Sequence, residues 1–228
     1  MIKSGLPDLV VNGVSTAAGG TYGNVKIDGV GKVSGDIDAK TIKANGVIRM
    51  NGAVKAEEMD CDGKLTVGGN LAVGRIRLDG LVSVKGIMSG EHLDLHGLIN
   101  VKGDCEIEKF DGEGVFEVDG LLSVGTLNIK LQGRAKAREI GVESMVIRQV
   151  PRSVWSKLWS WMSTKFVPEL QATTIEGDDI DLEYTKAQVV RGNRVVIGKG
   201  CVIDRVEYKT ELKVNPGATI KERVKTGG

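Results

Sequence analysis

Apolar residues recur along this chain in pairs separated by one residue, and the pairs return every seventeen residues. A spacing of two places both members of a pair on one face of a β-strand and the residue between them on the other face. The pattern therefore predicts short strands whose apolar faces point to a shared interior. The pairs form three columns, namely Ile48/Met50, Leu65/Val67, Val82/Val84, Ile99/Val101 and Phe116/Val118; Val54/Ala56, Leu71/Val73, Cys105/Ile107 and Leu122/Val124; and Ile42/Ala44, Met59/Cys61, Ile76/Leu78, Leu93/Leu95 and Leu127/Ile129.

Glycine keeps the same seventeen-residue step in two series, one from Gly29 to Gly114 and one from Gly35 to Gly120. Glycine reaches left-handed backbone angles that other residues avoid, so it suits the corners between strands. A single coil cannot bury its own apolar face, whereas coils stacked about 4.8 Å apart share one continuous core. The sequence therefore predicts an all-β fold, a parallel β-helix (β-solenoid) of triangular seventeen-residue coils.

The register also predicts where the solenoid begins and ends. Residues 1–24 are interpreted as an irregular N-terminal segment or first coil, and residues 25–149 as the β-helix core. After Ile129 a slip of two residues moves the next glycine to Gly133, and Ala135 and Ala137 resume the pattern. Paired apolar residues return in 170–214, which predicts further, less regular coils and roughly nine coils in all. A flexible tail is expected over 215–228.

Residues 150–169 break the β pattern and predict one late inserted amphipathic α-helix. Pro151 and Pro168 bracket the segment, which contains all three tryptophans of the protein. Its large apolar residues follow helical spacing and share one predicted face. These residues are Trp155, Leu158, Trp159, Met162 and Phe166.

Three roles are open for this predicted helix. It can pack over one face or one open end of the solenoid, since uncovered strand edges invite aggregation. Tryptophan, leucine and lysine on an amphipathic helix are also the composition of an interfacial membrane anchor. The third role is contact with a protein partner. One short helix would bind a membrane weakly, and assembly of many copies would multiply the attachment.

The glycine-punctuated coils GLVSVKG and GLINVKG resemble those of the bactofilins, the bacterial polymer-forming cytoskeletal proteins. The resemblance covers residues 25–149, and residues 172–214 are similar to the C-terminal part of longer members of that group. It implies a right-handed β-helix that assembles into filaments or sheets without nucleotide. It also implies a role in cell shape, in motility or in positioning cell-envelope machinery.

Composition and charge narrow the function classes. The 31 Lys and Arg balance 30 Asp and Glu, so no basic excess indicates nucleic acid. Three cysteines without paired spacing predict neither a disulfide framework nor a zinc site, which favours a reducing compartment. No apolar stretch is long enough for a signal peptide or a membrane span. The expectation is a cytoplasmic protein, with peripheral contact at the inner face of the cell membrane as a further option.

Few residues could carry catalysis. His92 and His96 are predicted to lie on the surface with no third metal ligand beside them. Cys61 and Cys105 occupy inward positions, where a thiol acts as a small hydrophobe, and burial is also the expectation for Cys201. The sequence contains no phosphate-binding loop of the GxxxxGK[ST] type and no visible pair of catalytic carboxylates. It therefore predicts no enzyme, no metal and no cofactor.

The favoured hypothesis is a self-assembling structural scaffold. Each coil stacks only on its neighbours, so the ends of a solenoid offer unpaired strands and open cores to another copy. Expected partners are copies of the same chain or a related paralogue. The residues predicted to make these terminal contacts are Val25 and Ile27 at one end and Val206, Tyr208, Leu212 and Val214 at the other. The alternative is a β-helical adaptor that binds partners as a monomer or small oligomer.

Overall fold

The computed structural model describes residues 5–150 and 168–227, and all regular structure in this part of the chain is β. The strands are extended runs that pass around the corners of the coils. They are β1 (Leu9–Met50), β2 (Val54–Val67), β3 (Leu71–Val84), β4 (Met88–Val101), β5 (Cys105–Leu131), β6 (Arg134–Gln149), β7 (Glu169–Leu182), β8 (Thr185–Ile197), β9 (Val202–Val214) and β10 (Thr219–Lys225).

The ten strands form one parallel sheet in which neighbours in sequence are neighbours in space. From β1 to β5 each residue lies beside the residue seventeen positions later, as Val54 lies beside Leu71 and Leu71 beside Met88. The predicted parallel β-helix is confirmed as a solenoid of about ten turns, slightly longer than the sequence pattern indicated.

The three predicted columns of apolar pairs all face the interior. Every member of these pairs is buried, and together they form one core that runs from Val11 to Val206. Apolar side chains lie directly above one another in each column and differ in size, as in Ala44, Cys61 and Leu78. Phe110 and Phe116 add one edge-to-face contact, with 5.8 Å between their ring centroids.

The first glycine series forms the tightest corner of the coils. Gly29, Gly46, Gly63, Gly80 and Gly97 have φ angles from +112° to +144°, a range that residues with a Cβ rarely adopt. A Cβ at any of them would also overlap the carbonyl oxygen of the glycine one coil earlier. Backbone angle and stacking distance therefore both exclude a side chain at this corner.

Glycine is required in the second series for a different reason, because only Gly35 in that series has a positive φ. At this corner a side-chain oxygen in alternate coils accepts the backbone N–H of the next coil, and a Cβ on the neighbouring glycine would overlap that oxygen. The pairs are Asp36 with Ala53 at 2.7 Å, Asn70 with Ile87 at 3.0 Å and Asp104 with Leu121 at 2.8 Å. Glycine here makes room for a hydrogen bond between coils.

The period changes after β5. Ala135 lies beside Leu170, which is 35 residues later, and Leu170 lies beside Thr185, only fifteen residues later. Ala135 and Ala137 are both buried, so the predicted resumption of the pattern after the slip is confirmed. The core columns therefore continue through coils of unequal length, because added residues are confined to the corners.

The largest addition, residues 150–168, lies between β6 and β7. Gln149 Nε2 donates to the carbonyl oxygen of Pro168 at 2.6 Å, and Glu169 N–H donates to the carbonyl oxygen of Gly133. The chain thus leaves and rejoins the side of the stack at nearly the same point, on the corner that Gly114 occupies earlier. Residues 151–167 are outside the described part of the chain, and this range includes the predicted helix with Trp155, Leu158, Trp159, Met162 and Phe166.

The prediction of a flexible tail over 215–228 needs correction. β10 (Thr219–Lys225) pairs in parallel with β9, with Val206 beside Arg223 and Tyr208 beside Lys225. Asn215 Oδ1 accepts the N–H of Gly217 at 2.9 Å and turns the chain back onto the stack. No apolar pair marked this strand in the sequence, because two of its core-side positions are occupied by cations.

Replacing Gly80 by alanine is expected to destabilise the stack strongly. The left-handed backbone angle alone costs roughly 1–3 kcal/mol for a residue with a Cβ, and the overlap with the Gly63 carbonyl adds to that cost. Guanidinium unfolding followed by circular dichroism measures the loss.

Gly141→Ala is the matched control, because a Cβ at Gly141 would meet no atom within 4 Å. It should shift stability by no more than about 0.5 kcal/mol. Equal stability of the Gly80→Ala and Gly141→Ala variants would show that the glycine corner is not a constraint on folding.

Candidate assembly surfaces

The first coil described by the structure begins at Leu9 and forms the N-terminal face of the stack. Asp8 Oδ1 accepts the backbone and side-chain N–H groups of Asn24 at 2.8 and 3.0 Å, which holds this coil on the next one. Its core-facing side chains are uncharged and pack against the core: Leu9, Val11, Ala17 and Tyr22. Val11 is buried and the other three are half-buried, and no further coil lies beside them among the described residues.

The sequence pattern placed Val25 and Ile27 in the first coil, whereas the structure places them one coil further in. Both are fully buried, because the coil that starts at Leu9 covers them. The earlier start was missed because Val11 is followed by a run of small and polar residues without a clear apolar pair. A charge at Val25 or Ile27 would therefore disrupt the interior before it affected an end contact.

The C-terminal face combines apolar and charged positions. Val206 is buried beneath Arg223, and half-buried Tyr208 lies beneath Lys225. Leu212 and Val214 are half-buried and have no further strand beside them among the described residues. Of the residues predicted to contact another copy, these two are the ones that the structure leaves at an edge.

The charged residues of this face were missed in the sequence, although the register contains the signal. Arg223 follows Val206 by seventeen residues, and Lys225 follows Tyr208 by the same step. An arginine in a column of buried aliphatic side chains is a device that sheet proteins use against edge-to-edge association. The two ends of the described stack are therefore chemically unlike.

The candidate catalytic residues do not form a site. Burial raises the pKa of Cys61 and that of Cys105 to about 12, so both thiols stay protonated at neutral pH. Cys201 is also buried, and its Sγ lies 3.4 Å from the carbonyl oxygen of Leu182. Within the described residues no group of His, Cys, Asp or Glu side chains is arranged to hold a metal ion.

An acidic groove of about 590 Å³ crosses the outer surface of the middle coils. Its acidic side chains are Glu91, Glu106, Glu108 and Glu143. Its other lining residues are small or aliphatic, with no lysine, arginine, histidine or cysteine among them. The groove is therefore negatively charged, and its lining does not contain a nucleophile in contact with a histidine or lysine base.

Glu169, the first residue of β7, is the charged side chain that counts as buried among the described residues. Its carboxylate lies 3.4 Å from Arg134 Nε and 2.9 Å from Lys186 Nζ, and it accepts a hydrogen bond from Gln171 at 2.6 Å. Burial acts to raise the pKa of Glu169, but the hydrogen bonds from Lys186 and Gln171 and the nearby cations outweigh it and lower the pKa. The cluster joins three successive coils where residues 150–168 rejoin the stack.

The chain is similar to two curated proteins of Bacillus subtilis (strain 168). It is 36% identical over 109 residues to "Uncharacterized protein YhbE", and this match covers 47% of the chain and 44% of the relative. It is 36% identical over 107 residues to "Uncharacterized protein YhbF", covering 46% of the chain and 42% of the relative. The matched part thus spans less than half the length of these relatives. No family model matches the chain, and no solved structure matches it.

Membrane association was one of the roles predicted from the sequence. Across residues 5–150 and 168–227 the structure has no helix with the length and hydropathy needed to cross a bilayer. The residues predicted for an interfacial helix are outside these ranges, so their role stays a prediction.

Glu169→Gln is expected to lower the free energy of unfolding at pH 7 by about 1.5–3 kcal/mol, since hydrogen bonds to charged groups contribute in that range. A carboxyl whose pKa is lowered by folding stabilises the protein above its unfolded pKa, and that stability is lost as pH falls through the folded value. The difference from the unsubstituted protein should therefore shrink as pH falls below about 4. Thermal unfolding at a series of pH values measures it.

The control is Glu57→Gln, which removes an exposed carboxylate that lies outside the acidic groove and makes no ion pair among the described residues. It should leave stability unchanged across the same pH range. A Glu169→Gln deficit that persists undiminished at low pH would contradict the ion-pair explanation.

Proposed function

We propose that this chain is a self-assembling structural scaffold, a cytoskeletal protein that associates without nucleotide and positions envelope, cell-shape or motility machinery. The observation that supports it most directly is the N-terminal face, where the uncharged and half-buried Leu9, Ala17 and Tyr22 have no further coil beside them among the described residues. The resemblance to bactofilins supports the same role. It also implies that the coils are right-handed and triangular. Partners under this proposal are other copies of the chain or a related paralogue.

The chemistry of the two faces favours contact between N-terminal faces. When one N-terminal face meets another, apolar side chains meet apolar side chains and two strand edges come together. When an N-terminal face meets a C-terminal face, Arg223 must leave water for an uncharged surface, which costs several kcal/mol unless a partner carboxylate is provided. The favoured contact is therefore isologous, with the same face contributed by both copies.

A second candidate function rests on Arg223 and Lys225, the two cations of the C-terminal face. An isologous contact by itself closes at two copies, and Arg223 and Lys225 oppose growth at the other end. If no further contact exists, the product is a small, discrete adaptor that presents the flat outer faces of its coils to partners. The size of the assembled particle distinguishes the adaptor from the scaffold.

Leu9→Glu is expected to abolish the contact between N-terminal faces without unfolding the protein, because it places a carboxylate in that face but outside the buried core. Negative-stain electron microscopy and multi-angle light scattering over a concentration series, both without nucleotide, measure particle size. Ile220→Glu is the matched control, since Ile220 is a half-buried aliphatic residue of the opposite face.

Growing particles in the unsubstituted protein support the scaffold, and a constant two-copy particle supports the adaptor. The two-copy particle requires that Leu9→Glu releases single copies, and the growing particle requires that Leu9→Glu reduces particle size. Ile220→Glu should change neither result. A single copy at every concentration before substitution would overturn both functions.

The predicted amphipathic helix is proposed to attach the assembly to the inner face of a membrane. Replacing Trp155, Trp159 and Phe166 together by alanine should abolish sedimentation with anionic phospholipid vesicles, because these side chains supply most of the apolar contact of an interfacial helix. Thermal unfolding of the same variant is the second readout. Unchanged stability supports the anchor, whereas lower stability with unchanged vesicle binding would assign these residues to packing on the solenoid.

A further inference from the structure

The charged residues of the solenoid are divided unequally among its three outer sides. Every inward pair has one outward residue before it, one between its members and one after it, and these outward residues together form a face. In the coil of residues 53–69 the three faces carry Ala53, Lys55 and Glu57, then Glu58, Asp60 and Asp62, and then Lys64, Thr66 and Gly68. Parallel pairing continues each face along the described stack.

The face that contains Lys64 is basic, and we call it the basic face. Over the described coils it carries ten Lys and Arg side chains against four Asp and Glu. The face that contains Lys55 is the acidic face, with five Lys and Arg against thirteen Asp and Glu, and the third face carries nine against thirteen. The formal net charge of +1 is therefore the sum of sides with opposite charge, and only the basic face attracts anions.

The cations of the basic face are unpaired in the early coils. Lys32, Arg49, Lys64 and Lys85 are exposed, and they make no ion pair among the described residues. The first three of them line one open hollow of about 660 Å³. Like charges on neighbouring strands destabilise a sheet when no counter-charge is present. An anionic surface laid on this face supplies the counter-charge.

Exposed aliphatic side chains lie among these cations. Val14, Val30 and Val47 line the same hollow, with exposed fractions of 86%, 50% and 52%. Leu81 is 47% exposed and lies directly beside Lys64. A bilayer of anionic phospholipid suits both kinds of side chain, because cations meet the headgroup phosphates and aliphatic groups enter the boundary with the acyl chains.

Nucleic acid is a poorer match for the same surface. Proteins that bind single strands stack the bases on aromatic side chains set among cations. The described lining of the hollow contains valine, threonine and serine between its cations and no aromatic residue. The aliphatic content of the face therefore favours lipid.

The segment proposed to anchor the assembly leaves the stack at the border of the basic face. Gln149 and Glu169 bound this segment, and Glu169 is the first basic-face position of its coil. The corner between them lies between the basic face and the third face, opposite the acidic face. When the solenoid lies on its basic face, the segment therefore starts at the level of the bilayer surface.

We infer that the basic face lies on anionic phospholipid, so that the solenoid rests flat on the bilayer with its acidic face pointing away. The inference rests on the proposed function and deepens it, because it names the lipid class and the orientation of the attached assembly. Two copies joined by their N-terminal faces fit the same plane when their two-fold axis is normal to the bilayer, since both basic faces then point towards it. Each added copy multiplies the attachment.

The first test removes three cations from the basic face of the full-length protein. The basic-face variant combines Lys32→Gln, Arg49→Gln and Lys64→Gln. The control variant removes the same charge from exposed side chains of the other two faces that make no ion pair among the described residues, and it combines Lys43→Gln, Lys55→Gln and Arg77→Gln. Sedimentation with vesicles of phosphatidylglycerol and phosphatidylcholine measures binding, and circular dichroism verifies folding.

Each cation at an anionic surface strengthens binding about fivefold, so the basic-face variant should require about a hundredfold more lipid for half-maximal binding. The control variant should require no more than about fivefold more lipid, because its cations point away from the bilayer and charge is screened over about 8 Å. Equal weakening of the two variants, or full binding by the basic-face variant, overturns the inference. The anchor still stands in both cases if the variant with Trp155, Trp159 and Phe166 replaced by alanine loses vesicle binding.

The second test reads the orientation directly. Ser83→Cys on the basic face and Ser123→Cys on the acidic face place a thiol at half-buried serines between the members of an inward pair. The native cysteines are buried, so a thiol-reactive fluorophore labels the introduced one. Phospholipid brominated in its acyl chains should quench the label at residue 83 and leave the label at residue 123 unquenched. Equal quenching at both positions overturns the orientation.

Two further results have distinct meanings. If the unsubstituted protein does not sediment with the vesicles, the anchor and the basic-face contact are overturned together, while growth of particles in light scattering keeps the scaffold. If the basic-face variant loses a gel shift of DNA or RNA but keeps vesicle binding, the face belongs to nucleic acid and the lipid contact is overturned.

Discussion

At one corner of every early coil, a glycine lies where any Cβ would overlap the carbonyl oxygen of the coil before it. The missing side chain lets successive coils approach to the spacing of paired strands, and that approach allows the parallel hydrogen bonds to form along the whole turn. The apolar columns then fall directly above one another, because each coil repeats the same path. The core, the flat outer faces and the two ends all follow from this corner.

Stacking of this kind makes the molecule uniform along its length and different at its ends. A residue in the middle has the same neighbours above and below, so a hydrophobic column can continue through as many coils as the chain provides. At the ends that repetition stops, and the residues there must either meet water or meet another copy. The uncharged first coil and the cations of the last coil are opposite solutions to this problem. Stability therefore belongs to all of the coils, whereas the proposed association would involve the end coils.

Much of the fold could be predicted from the sequence, because inward pairs such as Leu65 and Val67 repeat without interruption and a period of two has one meaning in a strand. The first coil and β10 were harder. A terminal coil has a neighbour on one side only, so its sequence is under less pressure to be apolar. Arg223 shows this, since it occupies a core column and marks a strand that the pattern did not reveal.

The outward surface was the least predictable part. Val47 and Leu81 each precede an inward-facing residue, so the period of two places them outward, but it does not require an outward position to be apolar. The Asp36 and Asn70 hydrogen bonds between coils were hidden for a similar reason, because they recur in alternate coils and escape a search at one period.

The corner between Gln149 and Glu169 has a consequence for how such a protein changes over time. Nineteen residues stand there in place of a short turn, yet the strands before and after keep their core columns in line. Because Gln149 and Pro168 are hydrogen-bonded, the added segment begins and ends at one place. The strands on either side of it therefore stay paired in register. A solenoid can therefore acquire a new peptide at a corner in a single genetic event, and the same position would accept a grafted tag or small domain whose termini lie together.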